Sequence, residues 1–327
     1  MREPYFWSVT DRLSRASAPM TKLVLTPVSA LYRWAGARRI RATKPQDAGI
    51  PVVCIGNLTL GGAGKTPVTQ AVRDYYVSKG IRAASLSRGY RGSLKGAHRV
   101  DPARHTAAET GDEPLMLSAS GESWISRDRP AGAHAMKADG VQLIVMDDGH
   151  QNPTLKKTLS LVVIDASNPF GNGHVFPKGP LRERVVDGLA RADAIVLMGG
   201  GAAPEALARF AGPVLRARLV SQAPLPPGRY VAFAGIGKPA RFFDALQKQA
   251  GIDLAEGAPY PDHHMFTPYD LKFLMTLAAE RNAQLVTTDK DHVRLPEGMK
   301  AKVLRASVKA DFDDPAALAA LLDRALA

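Results

Sequence analysis

Pro51-Val-Val-Cys-Ile-Gly-Asn-Leu-Thr-Leu-Gly-Gly-Ala-Gly-Lys-Thr-Pro67 reads as an apolar strand, a glycine-rich loop and a Gly-Lys-Thr at the mouth of a helix. Small residues let successive backbone N–H groups turn inward on phosphate oxygens, and the helix N-terminus adds unpaired N–H groups and a positive dipole end. Thr59, Leu60, Gly61, Gly62, Ala63, Gly64, Lys65 and Thr66 are therefore the expected ATP-binding loop. Lys65 is placed to reach the β- and γ-phosphates, and the Thr66 hydroxyl to sit on Mg²⁺. The generic pattern has glycine five places before Gly64, where this chain has Thr59. Gly61, Gly62 and Gly64 still supply three unencumbered positions, and Pro67 falls in the first helical turn, where its missing N–H is harmless. The competing reading, an ordinary glycine-rich strand-to-helix turn, does not explain Lys-Thr at the helix entry.

Outward from this loop, apolar β-rich runs alternate with helical patterns, which predicts a parallel sheet covered by helices. Ala83–Leu86, Val141–Met146, Leu159–Ile164 and Ala194–Met198 are the strand candidates. Their continuous apolar character suits strands buried on both faces. A Pro-rich stretch, Ser221-Gln-Ala-Pro-Leu-Pro-Pro-Gly228, marks the best linker. Beyond it a shorter α/β pattern follows, with strands at Tyr230–Ala234, Leu285–Thr288 and Val303–Ala306 and helices at Ala240–Ala250, Tyr269–Arg281 and Pro315–Leu326. The expected fold is α/β, a P-loop NTPase-like and mostly parallel sheet with helices on both faces plus a second, smaller α/β domain. The expected boundaries are 1–45, 46–220 and 221–327.

The 327 residues, 45% hydrophobic and 23% charged, describe a globular chain rather than a disordered one. Cys54 is the single cysteine, which excludes a disulfide framework and a cysteine metal cluster and suggests a reducing compartment. The net charge of +12 is concentrated at one end: residues 1–45 hold nine Lys/Arg (Arg2, Arg12, Arg15, Lys22, Arg33, Arg38, Arg39, Arg41, Lys44) against Glu3 and Asp11, a net +7. Such a segment suits anionic lipid headgroups or nucleic acid.

No apolar window is long enough for a transmembrane helix, and the opening lacks the pattern of a secretory signal. Met20, Leu23, Val24, Pro27, Val28, Leu31 and Trp34 recur at helical spacing, with Lys22, Ser29 and Arg33 off that face. The composition is that of an amphipathic helix lying in a membrane interface, or of a helix packing its apolar stripe on the protein. Pro27 is expected to kink either version.

Val141-Gln-Leu-Ile-Val-Met-Asp147-Asp148 is an apolar strand ending in two carboxylates, the place where a P-loop fold holds the acidic residue of its Mg²⁺ shell. Gly111-Asp112-Glu113-Pro114 reads as a helix start, where acidic residues are expected for dipole reasons alone. In Asp262-His263-His264 the adjacent histidines cannot both face one point; one His beside a carboxylate suits an orienting partner for a general base. Arg88-Gly89-Tyr90-Arg91 and Pro177-Lys178-Gly179-Pro180-Leu181-Arg182-Glu183-Arg184 are basic loops suited to phosphate or carboxylate, or are simply solvated.

Together these segments resemble one family, the tetraacyldisaccharide 4′-kinases of lipid A biosynthesis. The likeness runs through the phosphate loop, Leu86-Ser-Arg-Gly-Tyr90, Gly111-Asp-Glu-Pro114, Met146-Asp-Asp-Gly-His-Gln151 and Pro177-Lys-Gly-Pro-Leu-Arg-Glu183. It continues through Phe233-Ala-Gly-Ile-Gly-Lys-Pro239, Asp262-His-His264 and Thr287-Thr-Asp-Lys-Asp291. The resemblance implies transfer of phosphate from ATP, with Mg²⁺, to the 4′-hydroxyl of an anionic acylated glucosamine disaccharide 1-phosphate. It implies a peripheral protein, expected to be a monomer, at the cytoplasmic face of a Gram-negative inner membrane. It assigns base duty to Asp112 with His263, a catalytic charge to Lys65, and metal or water-shell roles to Thr66, Asp147, Asp148 and Glu113. Substrate contact falls to Arg182, Gln151 and Arg88. A GTPase would need an Asn-Lys-x-Asp motif, and Asp289-Lys290-Asp291-His292 lacks both ends of it. A nucleic-acid ATPase would spread its positive charge over binding segments, which are not found, so no nucleic-acid partner is expected. The remaining alternative is a peripheral membrane nucleotide-binding protein without sugar kinase activity.

Overall fold

Alternate residues of the strand Val52–Gly56 pack into opposite hydrophobic clusters, and that pattern builds the larger of two sheets. The computed structural model describes residues 4–9 and 14–326; Arg2, Glu3, Asp11 and Arg12 of the basic segment lie outside these residues. Val53 and Ile55 pack with Val68, Val72 and Tyr76 of the helix Lys65–Ser78, while Val52 and Cys54 pack with Ala133 and Met136 of the helix Arg129–Ala138. Both faces of the strand are thus covered, which is why its sequence is apolar throughout.

In chain order the strands are β1 Val52–Gly56, β2 Ala83–Ser87, β3 His98–Arg99, β4 Ser123–Ile125, β5 Leu143–Asp147, β6 Leu159–Asp165 and β7 Ala194–Met198. They continue as β8 Val214–Ser221, β9 Gly228–Ala234, β10 Ile252–Pro259, β11 Gln284–Thr288, β12 Val303–Ala306 and β13 Val308–Phe312. The large sheet has the order β13-β8-β7-β6-β1-β5-β2-β4-β3, antiparallel only at β13/β8 and β3/β4. The small sheet, β10-β9-β11-β12, is parallel throughout. Its core repeats the same alternation. Val231 and Phe233 pack on the helix Pro268–Glu280, and Tyr230 and Ala232 on the helix Pro239–Gln247.

The chain leaves the large sheet at Ser221, where a linker was expected, but does not stay in the small sheet to its end. β13 pairs with β8, and the helix Pro315–Asp323 packs on the large-sheet core, where the Tyr76 hydroxyl donates to Leu322 O at 2.8 Å. The segment 221–327 is therefore not one contiguous unit. Val308-Lys-Ala-Asp-Phe312 buries only alternate side chains, as an antiparallel edge strand does, so it carries no continuous apolar run to announce it.

The C-terminal ends of both sets of parallel strands face each other. Asp165, ending β6, receives Lys238 at 2.7 Å and Arg241 at 2.8 Å from the start of the helix after β9. Burial raises its pKa, but these cations and Ser167 outweigh that and hold it at about 2. The contribution to stability is therefore full above the unfolded value near 4 and is lost as pH falls through about 2. Asp165→Asn is expected to lower stability at pH 7 by on the order of 1–2 kcal/mol, with the difference from wild type closing near pH 2. Urea midpoints measured across that range check it.

The helix Pro19–Ala42 continues through Pro27. Its apolar stripe is not packed on the protein: Met20, Leu23, Val24, Leu31 and Trp34 are each at least 60% exposed. The opposite side meets the loop before Leu181, with the buried Ser29 hydroxyl donating to Val175 O at 2.7 Å and Tyr32 edge-on to Phe176. Among the described residues no helix is long and apolar enough to cross a membrane.

Candidate active site

The glycine-rich loop leaves β1 and enters its helix through Gly64 at φ 83°, a left-handed conformation that glycine adopts without strain. A second loop braces it from behind. Leu60 N–H donates to Pro180 O at 2.7 Å, Arg182 N–H to Leu58 O at 2.8 Å, and the Arg182 Nε to Thr59 O at 3.1 Å. Gln151 completes the brace, its amide donating to Asn57 O at 2.8 Å and to Glu183 at 3.0 Å. Gln151 is thus committed to the loop's own support, with Arg182 Nη1 3.5 Å from its oxygen.

β5 ends at the two aspartates beside this loop. Asp147 is buried and accepts the Thr69 hydroxyl at 3.0 Å. Burial pushes its pKa up to about 6; Lys65 opposes the rise, while Asp148 and Glu113 add to it. Asp148 sits at φ 50°, a sparsely populated region that Asp tolerates better than most residues. Its carboxylate lies 3.4 Å from the Lys65 Nζ and 3.1 Å from Arg182. Although its side chain is 39% exposed, crowding by the surrounding protein disfavours its charge; Lys65 and Arg182 overcome this and hold Asp148 well below the usual carboxylate range. Between these aspartates and β6, His150 is buried as a neutral imidazole, its pKa depressed to about 3 by burial. It contacts the Ser160 hydroxyl at 3.1 Å and Gly188 O at 2.9 Å, so it anchors the turn that carries Asp148 and Gln151.

Asp112 opens the helix Asp112–Ser118 behind Gly111, whose φ is 88° and where a Cβ would lie 2.5 Å from Tyr90 O. Only glycine allows that approach. Asp112 is nearly enclosed, with 9% of its side chain exposed, and groups from the small-sheet side meet its Oδ2. His263 Nδ1 lies at 2.7 Å and Arg294 Nε at 2.9 Å. Burial raises the Asp112 pKa, but His263 and Arg294 more than reverse this and hold it at about 2. Among the described residues its Oδ1 makes no hydrogen bond, so one oxygen is held and the other is left to act.

Geometry separates the adjacent histidines. His263, at φ 59°, turns toward Asp112, and its other nitrogen lies 3.2 Å from the Lys290 Nζ. His264 instead stacks on Tyr260 and meets Asp270 at 3.0 Å. Lys290 also lies 3.4 Å from Glu113, tying the second acid of the pair to the same side. Arg88 is exposed at the end of β2, next to Tyr90, whose ring meets His263 edge-on. The expected catalytic and acidic residues thus gather around the facing strand ends.

Four residues with a part in this geometry are absent from the sequence-based set. Lys290 lies in the short helix Asp289–His292 that follows β11 and Arg294 just beyond it; from sequence, Lys290 is named only within a motif. Arg129, also buried, donates to Asp147 O at 3.2 Å. Thr69, one turn after Thr66, holds Asp147. The i,i+3 spacing of Asp291 and Arg294 is the one local signal for the first, and it marks innumerable surface pairs as well.

Among the described residues no three of His, Cys, Asp and Glu form a group that would by itself cage a metal. Mg²⁺ does not need one: it is usually bound by one or two carboxylates, with phosphate oxygens and water completing the octahedron. The donor set here, Asp147, Asp148 and the Thr66 hydroxyl, is all hard oxygen. Repulsion of the buried Asp147 by the more exposed Asp148 and Glu113 is the condition that a divalent cation relieves.

A family model described as LpxK, tetraacyldisaccharide-1-P 4′-kinase, matches residues 21–327. The tetraacyldisaccharide 4′-kinase of Hyphomonas neptunium is 57% identical over 323 residues, covering 98% of this chain and 97% of its own. That of Maricaulis maris is 50% identical over 329 residues, covering 98% and 96%. A crystal structure of LpxK from Aquifex aeolicus, described as an "apo" form in complex with ATP, is similar with a TM-score of 0.75 at 24% identity. It covers 94% of this chain and 100% of its own, and establishes likeness of fold.

Proposed function

Since the chain belongs to the tetraacyldisaccharide-1-phosphate 4′-kinase family, we propose that it transfers the γ-phosphoryl of ATP to the 4′-hydroxyl of its acylated disaccharide at the junction of its two sheets. The observation that carries this reading is Asp112: a buried carboxylate on the large-sheet side, fixed at one oxygen by His263 and Arg294 and next in sequence to Glu113. A nucleotide-binding protein without kinase activity has no use for such a carboxylate.

In this reading residues 59–66 grip the triphosphate through backbone N–H groups, and Lys65 offsets charge on the β- and γ-phosphates. Phosphoryl transfer leaves the protein mainly to position groups and neutralise charge. Asp112 Oδ1 orients the sugar hydroxyl and takes its proton late, as the O–P bond forms and the bond to ADP breaks. His263 keeps the carboxylate aimed. Thr66, Asp147 and Asp148 would hold Mg²⁺, with Glu113 through its water shell; bound there, the ion would screen the phosphate charge. Arg182 and Arg88 are placed to meet anionic parts of the substrates. Purified protein is expected to release ADP from ATP only when tetraacyldisaccharide 1-phosphate is supplied in mixed micelles. A coupled ADP assay reads this, and equal ADP release without the lipid would refute it.

The exposed stripe of the N-terminal helix supports a peripheral seat on an anionic bilayer surface, where an acylated substrate resides. Arg38, Arg39 and Arg41 follow it on the same helix, with Arg38 over the Trp34 ring and Arg39 donating to Gln151 O at 3.0 Å. The lipid-facing helix therefore adjoins the bracing of the phosphate loop. Each cation near an anionic surface adds about 1 kcal/mol, and each buried leucine roughly 1.5–3 kcal/mol. The double variant Leu23→Glu/Leu31→Glu is expected to lose at least about tenfold in binding to anionic vesicles, measured by sedimentation, with its melting temperature unchanged. Undiminished binding would remove the stripe from the account.

A further inference from the structure

Arg294 has no exposed side-chain surface and lies between two carboxylates that belong to different sides of the junction. Its Nε donates to Asp112 Oδ2 at 2.9 Å, its Nη1 donates to Asp291 Oδ1 at 2.8 Å and to Gly235 O at 3.1 Å, and its Nη2 lies 2.7 Å from Asp112 Oδ2 as a charge contact without hydrogen-bond geometry. Asp291 is fixed in turn by the Thr288 hydroxyl at 2.6 Å and the Gly235 N–H at 3.0 Å. A continuous chain of charge-assisted bonds therefore runs from the end of β11 to the carboxylate assigned as base. The planar guanidinium fork cannot rotate without breaking contacts on both sides.

We propose that Arg294, held by Asp291, is a positioning residue for the phosphoryl transfer: it fixes Asp112 Oδ2 so that Oδ1 alone is presented to the acceptor hydroxyl, and it makes the base dependent on docking of the small-sheet side. The inference rests on the kinase reading above and adds to it a second element that aims the base besides His263. A displacement of about 1 Å in such a group is enough to cost about 10²-fold in rate. Because Arg294 touches none of the residues assigned to ATP, its loss should appear in kcat and not in nucleotide affinity.

The test uses the full-length chain with Arg294→Met, Arg294→Lys and Asp291→Asn, each checked by thermal melting, with kcat and KM for the lipid and Kd for ATP. Arg294→Met is expected to lower kcat about 10²-fold while Kd for ATP stays within about threefold. Lysine, which keeps the charge on Oδ2 but loses the fork, should recover roughly a tenth of the wild-type rate. Asp291→Asn should lie between, and it stands in for Arg294→Met if that variant does not fold. A kcat within about threefold of wild type in either Met or Asn variant would overturn the proposal, as would equal loss in the Met and Lys variants with a matching loss of ATP affinity. Asp112→Asn run in parallel keeps the two ideas apart. An active Asp112→Asn sinks the base assignment itself, whereas an inactive one beside a fully active Arg294→Met sinks only this inference.

Discussion

Replacing Lys65 with alanine is expected to reduce kcat by about 10²–10³-fold or more while the protein remains folded. The magnitude is that of removing one preorganised group aimed at charge in a transition state. Lys65 is the first residue of its helix, and alanine is at least as good a helix former there. Its side chain is only 14% exposed and its ammonium lies 3.4 Å from Asp148, so the substitution also strips the acidic cluster of a nearby cation. Lys65 is the strongest influence restraining the rise of the Asp147 pKa, so that carboxyl moves further up without it. ATP affinity should fall as well, since in the proposed mechanism the same ammonium meets the phosphates in the ground state. Initial rates at saturating lipid, with thermal melting as the control for folding, check the expectation. A rate within tenfold of wild type would remove Lys65 from the machinery.

Asp112→Asn is expected to cost about 10²–10⁴-fold in kcat, the range for loss of a positioned general base. Asparagine keeps the shape and an oxygen for Arg294, but it cannot take the acceptor's proton. The substitution also removes a buried charge from between His263 and Arg294, so stability should fall at neutral pH by roughly 2 kcal/mol. The sign follows from the depressed pKa of about 2. The ionised carboxylate stabilises the fold above the unfolded value near 4, and that contribution disappears as pH drops through about 2. Stability curves of the variant and wild type should therefore converge at the acid end. Retention of activity would mean that another group accepts the proton.

The half of this molecule built around the glycine-rich loop was legible because its signals are local. Strand β1, the glycine loop and Lys65-Thr66 lie within seventeen residues, and Asp147 follows an apolar run that only a doubly covered strand explains. The facing half was less so. β10, Ile252-Asp-Leu-Ala-Glu-Gly-Ala-Pro259, is an edge strand with Glu256, Gly257 and Pro259, residues that an edge accepts and a central strand does not. Val308–Phe312 is separated by more than eighty residues from β8, the strand that it pairs with, and nothing in a local window predicts that return. Arg294 is the sharpest case. Its role arises from a contact with Asp112, 182 positions away, and from burial that composition does not reveal. The pairing of His263 rather than His264 with that carboxylate is likewise a matter of backbone, since the left-handed φ of His263 turns the two rings apart. The exposed stripe on the N-terminal helix reads identically in sequence whether it faces protein or lipid; the contacts of Ser29 with Val175 and Tyr32 with Phe176 show which side is inward.

The central claim is that the facing strand ends deliver a phosphoryl group from ATP to one particular sugar alcohol. Phosphorus and proton NMR of the lipid recovered from a single incubation with Mg²⁺ and ATP tests it most directly. A phosphomonoester on the 4′-oxygen, formed in equal amount to ADP, is the predicted result. ADP accumulating beside unmodified lipid, or phosphate on another hydroxyl, would contradict the account.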